Sequence, residues 1–245
     1  MHTTNQLKAP RISILPGFEW DRQNAYLFDI DGTLLRSRDR THMDSIAASV
    51  REVMGFEITL EGVSVHGNTD TGILREACKR SGIPTDELEP QVEAILEAMG
   101  QNVADNRNQL NLYLMPGVQA ALRLLAHQGA LLGVATGNLE TIGWIKLEVA
   151  GLRQWFKFGG FSDHFPVRAA MVGNAARKAR ELAGPEASVC VVGDTPRDIT
   201  AAHENGIPVI AVATGNFGFD ELLEHAPEAC AISLEDLVNA TEAAR

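Results

Sequence analysis

A chain of 245 residues, 45% hydrophobic and 22% charged, matches an ordinary globular protein with a substantial core, built as one large domain or a core with a smaller companion. Its formal charge of −11 argues against generic binding to nucleic acid or an acidic membrane, since both need a basic surface, but leaves open a small anionic substrate at a metal. Cys78, Cys190 and Cys230 lie far apart and are odd in number, which suggests neither a disulfide framework nor a thiolate zinc site, and the lack of a long apolar run or apolar leader predicts a cytoplasmic protein.

Residues 1 to about 22 carry little periodicity and read as a partly ordered arm. Residues 25–30 form an apolar run broken by Asp29 and followed by Asp31-Gly32, the pattern of a buried strand with acids at its carboxyl end. An arginine-rich connection follows, with Arg36, Arg38 and Arg40 reading as a solvated hinge or as an attraction for an anionic substrate. Helical patterns then cover 43–53, 71–80, 87–99 and 103–110, with Gly55 as a stop and turn signals at Gly82-Ile83-Pro84 and Gly100. No run of strands is expected there, so the stretch reads as a helical insertion, and Met115-Pro116-Gly117 marks the return.

Beyond it the patterns alternate. Helices are predicted at 118–127, 140–149 and 169–183, and strands at 130–135, 188–192 and 208–213. Such alternation predicts an α/β fold with a mostly parallel sheet covered on both faces, whose ligands sit outside the carboxyl ends of the strands. Three polar clusters fall there: Asp29-Ile30-Asp31, Thr136-Gly137-Asn138 and Gly193-Asp194-Thr195.

Asp29 and Asp31 bracket one residue, so their side chains can leave the strand on one side while Ile30 points away. Adjacent carboxylates repel unless they share a cation or a proton. Asp194 adds a third acid and Asp198, four residues on, a fourth, although Asp198 also suits a cap for the helix beginning near Ile199. Hard oxygen ligands with no histidine or cysteine cluster favour Mg²⁺. A carboxylate can attack phosphorus to give an aspartyl-phosphate, while the Thr136 hydroxyl, the backbone N–H groups near Gly137 and a cationic side chain compensate phosphoryl charge. No GxxxxGK[ST] loop offers another phosphate cradle.

Asp29-Ile30-Asp31-Gly32-Thr33-Leu34, Thr136, and Gly193-Asp194 through Asp198 resemble the first, second and fourth motifs of the haloacid dehalogenase superfamily, and the likeness covers about 25–237. The resemblance implies a Rossmann-like core, residues 1–36 and 115–245, with a helical cap domain at 37–114. It implies Asp29 as nucleophile and Mg²⁺ ligand, and Asp31 as the acid and base for leaving group and water, with its backbone carbonyl on the metal. Asp194 becomes a metal ligand and Asp198 a support for the metal, with Thr136, Gly137 and Asn138 holding phosphate. For the basic third motif, Arg168 in Pro166-Val167-Arg168-Ala169-Ala170 resembles the arginine form of phosphoglycolate-phosphatase-like members, with Lys146 and Lys178 as competitors. Gly67-Asn68-Thr69-Asp70 resembles a cap turn facing substrate, making Thr69 and Asp70 candidates for substrate selection, and Asp70 equally suits a helix N-cap.

The expected function is therefore Mg²⁺-dependent hydrolysis of a small phosphorylated metabolite, with no nucleic-acid or membrane partner and with the oligomeric state open. A sugar-phosphate mutase would use the same acids, and a non-enzymatic phospho-aspartate switch clusters similar groups in about half this length. Asp31 argues against a dehalogenase. A phosphonate-cleaving enzyme would need a cap lysine, for which the sequence offers Lys79.

Overall fold

The computed structural model describes residues 11–243. The chain opens with strands β1 (Ile12–Ile14), β2 (Ala25–Phe28) and β3 (Leu35–Ser37). Helices α1 (Thr41–Met54), α2 (Asp70–Arg80), α3 (Thr85–Leu88) and α4 (Val92–Asp105) follow, and β4 (Leu112–Leu114) closes that segment. Next come α5 (Val118–His127), β5 (Leu131–Ala135), α6 (Glu140–Val149), β6 (Phe158–Gly160) and α7 (Arg168–Ala183). The chain finishes with β7 (Val189–Gly193), α8 (Pro196–Glu204), β8 (Val209–Val212), α9 (Phe219–Leu223), β9 (Ala229–Ala231) and α10 (Leu234–Ala243).

Seven strands form one sheet in the order β1-β9-β8-β7-β2-β5-β6, parallel throughout except for β1. The run 25–28 is apolar at every position because both of its faces are covered. Tyr26 and Phe28 enter one apolar cluster, shared with α5 and α10, and Ala25 and Leu27 enter the other, shared with α7 and α8. Residues 189–192 and 209–212 alternate between the same two clusters. The fold is the expected α/β sheet with helices on both faces. All three cysteines are free and buried, and no helix among the described residues is long and apolar enough to cross a membrane.

The helical segment between β3 and β4 has its own apolar cluster, from Ile46 and Val50 through Leu74 to Met99 and Val103, which also takes in Leu139, Ile142 and Ile145 on and beside α6. The two strands flanking the segment pair antiparallel, Arg36 opposite Tyr113. Three sequence readings change. Gly100 does not end a helix: α4 runs through it and faces Thr141 of α6, where an added Cβ would lie 3.4 Å from the threonine Cβ, an ordinary packing distance. The expected helix at 87–99 is split: Glu87 and Leu88 end α3, residues 89–91 form a separate 3-10 turn in which Pro90 has no N–H to continue the ladder, and α4 begins at Val92. The expected arm is structured where described: β1 pairs with β9, and Trp20 is buried with its Nε1 donating to Thr241 Oγ1 at 3.0 Å. Residues 1–10 of that arm lie outside the described residues.

The return to the core turns on Gly117, which takes φ 78° ahead of α5 and packs against the start of α10. A Cβ there would sit 2.0 Å from the Glu235 nitrogen. Gly117→Ala is expected to destabilise the protein by roughly 2–4 kcal/mol, combining left-handed strain with overpacking. Urea unfolding checks this, and a loss under about 0.5 kcal/mol, the usual range for a neutral surface change, would contradict it.

Candidate active site

Sheet register brings the polar clusters together. Phe28 pairs with Val134 on β5 and Val192 on β7, so the residues leaving these three strands are neighbours. Asp29 is held by its own N–H, which donates to the Val192 carbonyl at 2.9 Å. Gly32 follows with φ 94°, and a Cβ there would collide with Asp194 Oδ2 at 2.3 Å, so the turn after the strand requires glycine. Thr33 Oγ1 then donates to Asp194 Oδ1 at 3.0 Å.

Asp29 and Asp31 face different partners. The Asp29 carboxylate lies with those of Asp194 and Asp198, one oxygen of each within 4.8 Å of the others, and all three residues are buried. Arg168, the first residue of α7, brings Nη2 to 3.1 Å from Asp29 Oδ1 and donates to Asp198 Oδ1 from Nε at 2.9 Å. Asp198 also caps α8: its Oδ2 accepts from the Thr195 N–H at 3.0 Å while Thr195 Oγ1 accepts from the Asp198 N–H. Asp198 is thus the third residue of a helix that starts at Pro196 with Thr195 as its N-cap, rather than the cap of one beginning near Ile199, and its Oδ2 serves the capping box while its Oδ1 faces Arg168.

Asp31 meets Lys146. Its carboxylate oxygens accept from Lys146 Nζ at 2.8 and 2.7 Å and from Asn138 Nδ2 at 2.8 Å. The buried Lys146 ammonium also donates to Asn138 Oδ1 at 2.7 Å and reaches His42 Nδ1 at 3.0 Å. An ammonium can only donate, so Nδ1 accepts and the proton of His42 sits on Nε2, 3.0 Å from Asp70 Oδ2. His42 carries no motif around it, and nothing in the sequence marks it for this position. Lys178 is elsewhere, donating to the Gly159 carbonyl at 2.8 Å.

Gly137 and Asn138 line the cleft, whereas Thr136 is fully buried behind them with Oγ1 accepting from Asn138 Nδ2 at 2.7 Å. Thr69 and Asp70 differ from the expectation of side chains offered to substrate. Thr69 Oγ1 accepts from the Gly72 N–H at the start of α2 and donates to the Pro166 carbonyl at 2.9 Å, and the residue is 1% exposed. Asp70 sits at the cleft wall, but its N–H donates to the Gly137 carbonyl at 2.7 Å and its Oδ2 accepts from the Leu139 N–H at 2.9 Å. Both act as ties between the helical segment and the sheet loops.

Crowding of acids controls the electrostatics. Burial raises the Asp29 pKa to about 6 from 3.8, against the pull of Arg168 and with the push of Asp198 and Asp31. Asp194 is driven well above the ordinary carboxylate range by burial, then by Asp29 and Asp198. Asp31 goes the other way: the enclosing walls raise its pKa, but Lys146, His42 and Asn138 outweigh them and hold it low. Three buried carboxylates sharing one guanidinium form a hard-oxygen donor set with excess negative charge, which fits a divalent cation.

The residue pattern of the family described as haloacid dehalogenase-like hydrolase matches residues 26–212. The chain belongs to that family. It is 26% identical over 230 residues, 89% of this chain and 93% of the relative, to a protein of Dickeya dadantii named "Probable phosphatase IndB". It is 27% identical over 217 residues, 88% of this chain and 96% of the relative, to a phosphoglycolate phosphatase of Synechococcus elongatus. Among solved structures, "a predicted phosphoglycolate phosphatase" from Haemophilus somnus superposes with a TM-score of 0.61 at 22% identity, covering 89% of this chain and 98% of the other. This last likeness shows the fold.

Because the folded pKa of Asp29 lies above its unfolded value, folding takes up protons between about pH 4 and 6. The stability linked to this group is present at low pH and lost as pH rises through about 6. A cation competing with those protons stabilises more at higher pH. Mg²⁺ at a hundredfold excess over its dissociation constant is expected to stabilise the protein by about 2.7 kcal/mol at pH 7.5, and the same Mg²⁺ concentration by clearly less at pH 5. Thermal unfolding with Mg²⁺ and with chelator at both pH values tests this, and equal shifts in Tm would contradict it.

Proposed function

We propose that this protein is a Mg²⁺-dependent phosphatase that hydrolyses a small phosphorylated metabolite through a phosphoryl intermediate on Asp29. That it is a hydrolase of the phosphatase class rests on the family match and on relatives named as phosphatases. The observation that carries the finer reading is the division of labour between the two aspartates: Asp29 among carboxylates and a guanidinium, Asp31 beside it against a lysine.

On this reading an Asp29 oxygen attacks phosphorus, forming an Asp29–phosphorus bond as the ester P–O bond breaks and its electron pair leaves with the alcohol oxygen. Arg168, 3.1 Å from Asp29, compensates charge on the phosphoryl oxygens. Asp31 gives a proton to the leaving oxygen and then takes one from the water that opens the intermediate. Lys146 favours the ionised form of Asp31 needed for the second step, while the negative charge of a bound phosphomonoester pushes its proton affinity up for the first. Asp29, Asp194 and Asp198, with the Asp31 carbonyl that family resemblance adds, are the residues to hold Mg²⁺, which when bound neutralises phosphoryl charge. Gly137 and Asn138 hold the phosphate from the cleft wall, with Thr136 behind them. Residues 37–114 serve as a cap over the strand ends, a role supported by the ties that Thr69 and Asp70 make to the loops around the site.

The direct test is phosphate release from a panel of phosphorylated metabolites with Mg²⁺ and with chelator. Asp29→Asn keeps the shape but removes the attacking carboxylate, and turnover is expected to fall by ~10⁴-fold or more with Tm little changed. Near wild-type activity would remove Asp29 as nucleophile. Asp31→Asn is expected to lose about 10²–10⁴-fold with alkyl phosphates and distinctly less with aryl phosphates whose leaving groups need no proton. Equal losses across the leaving-group series would reassign Asp31 to structure or to metal binding.

A further inference from the structure

The three arginines of β3 and its connection to α1 have separate fates. Arg40 pairs with Asp44 on the exposed start of α1 at 3.1 Å, and the Arg38 guanidinium lies over the Tyr113 ring, 4.5 Å from its centroid. Arg36 instead lines the cleft that contains Asp29 and Asp31. The other standing cations on that wall have acids: Arg168 has Asp29 and Asp198, and Lys146 has Asp31. Arg36 has no carboxylate partner among the described residues, and its Nη2 donates to the neutral Asn216 Oδ1 at 2.8 Å. In a chain of net charge −11, a cleft arginine without an acid is an open anion receptor.

Its neighbours fix where such an anion would lie. Asn216 Nδ2 is 2.8 Å from His66 Nδ1, so β3, the loop after β8 and the loop before α2 meet at one polar cluster, all three members of which line the cleft. One residue away, the loop after β8 reaches Asp194 and the loop before α2 reaches Arg168. Gly215 is so close to Asp194 that a Cβ would sit 1.7 Å from Oδ2, and the Gly67 carbonyl accepts from Arg168 Nη1 at 3.3 Å. Arg36, Asn216 and His66 therefore line the same cleft as Asp29 and Asp31. The whole cleft encloses about 290 Å³, the size of a small metabolite.

We propose that Arg36, supported by Asn216 and His66, is the specificity-determining receptor for a second anionic group, so that substrates are short phosphomonoesters carrying a carboxylate or a further phosphate at the far end. This rests on the phosphatase reading above. Arg36 presents a planar fork suited to either anion, and Asn216 holds one of its nitrogens without neutralising it.

The test uses n-alkyl phosphates of two to four carbons, each compared with its ω-carboxylate and its ω-phosphate. The wild-type protein is expected to favour at least one ω-anionic series over the plain esters by at least tenfold in kcat/KM, and which series leads tells carboxylate from phosphate. Arg36→Met is expected to reduce that preference at least tenfold, mainly through KM, with Arg36→Lys restoring part of it and Asn216→Ala moving it the same way. Calorimetric binding of the same compounds to Asp29→Asn gives the comparison without turnover. Equal handling of plain and ω-anionic esters, or a preference that survives Arg36→Met and Asn216→Ala, overturns the inference and leaves the phosphatase reading standing. Hydrolysis of none of them while Asp29→Asn binds the ω-anionic compounds tighter through Arg36 keeps the receptor and removes the phosphatase reading.

Discussion

Repulsion among buried carboxylates is the constraint around which this molecule is arranged. In water Asp29, Asp194 and Asp198 would ionise and separate, and instead the carboxyl ends of β2 and β7 and the first turn of α8 hold them together in a buried group, where the proton affinity of Asp29 and Asp194 rises. The sheet can do so because its strands are apolar on both faces, so burial of Tyr26, Phe28, Val191 and Val192 sustains a local arrangement that is unfavourable by itself. Arg168 relieves part of the repulsion. What remains is an affinity for positive charge, built by folding and available for function.

The second acid shows the same economy of placement with the opposite outcome. Asp31 is two residues from Asp29, yet Lys146 from α6 and Asn138 from the loop after β5 take it out of the crowded group. His42 joins that pair to the helical segment, and Asp70 joins His42 to the backbone at Leu139. A continuous polar chain therefore runs from the Asp31 turn through Lys146 and His42 into the helical segment.

Much of this was legible in the sequence where a pattern was either periodic or chemically dense. The buried strand at 25–28 and helices α5 and α6 follow from hydrophobic periodicity, and the acids at the strand ends announce themselves by being charged where everything before them is apolar. Strands β1, β3, β4, β6 and β9 were not legible, because three residues cannot carry a period and their identity comes from pairing with distant partners. Gly100 misled because glycine in a helix is disfavoured locally, whereas the buried face that α4 carries on either side of it, Ile95, Met99 and Val103, keeps the helix going. Lys146 was visible as one basic residue among several. Its role depends on α6 turning it toward Asp31, and nothing in a single helix's pattern distinguishes it from Lys178 on α7.

The antiparallel pairing of β3 with β4 places the departure and the return of the helical segment side by side, Arg36 across from Tyr113. To the seven-stranded sheet, some seventy residues are therefore topologically equivalent to a hairpin turn. A segment of another size or shape could be exchanged at this junction with the sheet register untouched, provided that it offered an apolar surface to Ile142 and Ile145 of α6. The architecture uncouples the two parts in folding terms: the strand ends can stay fixed while the hairpin's contents are rewritten.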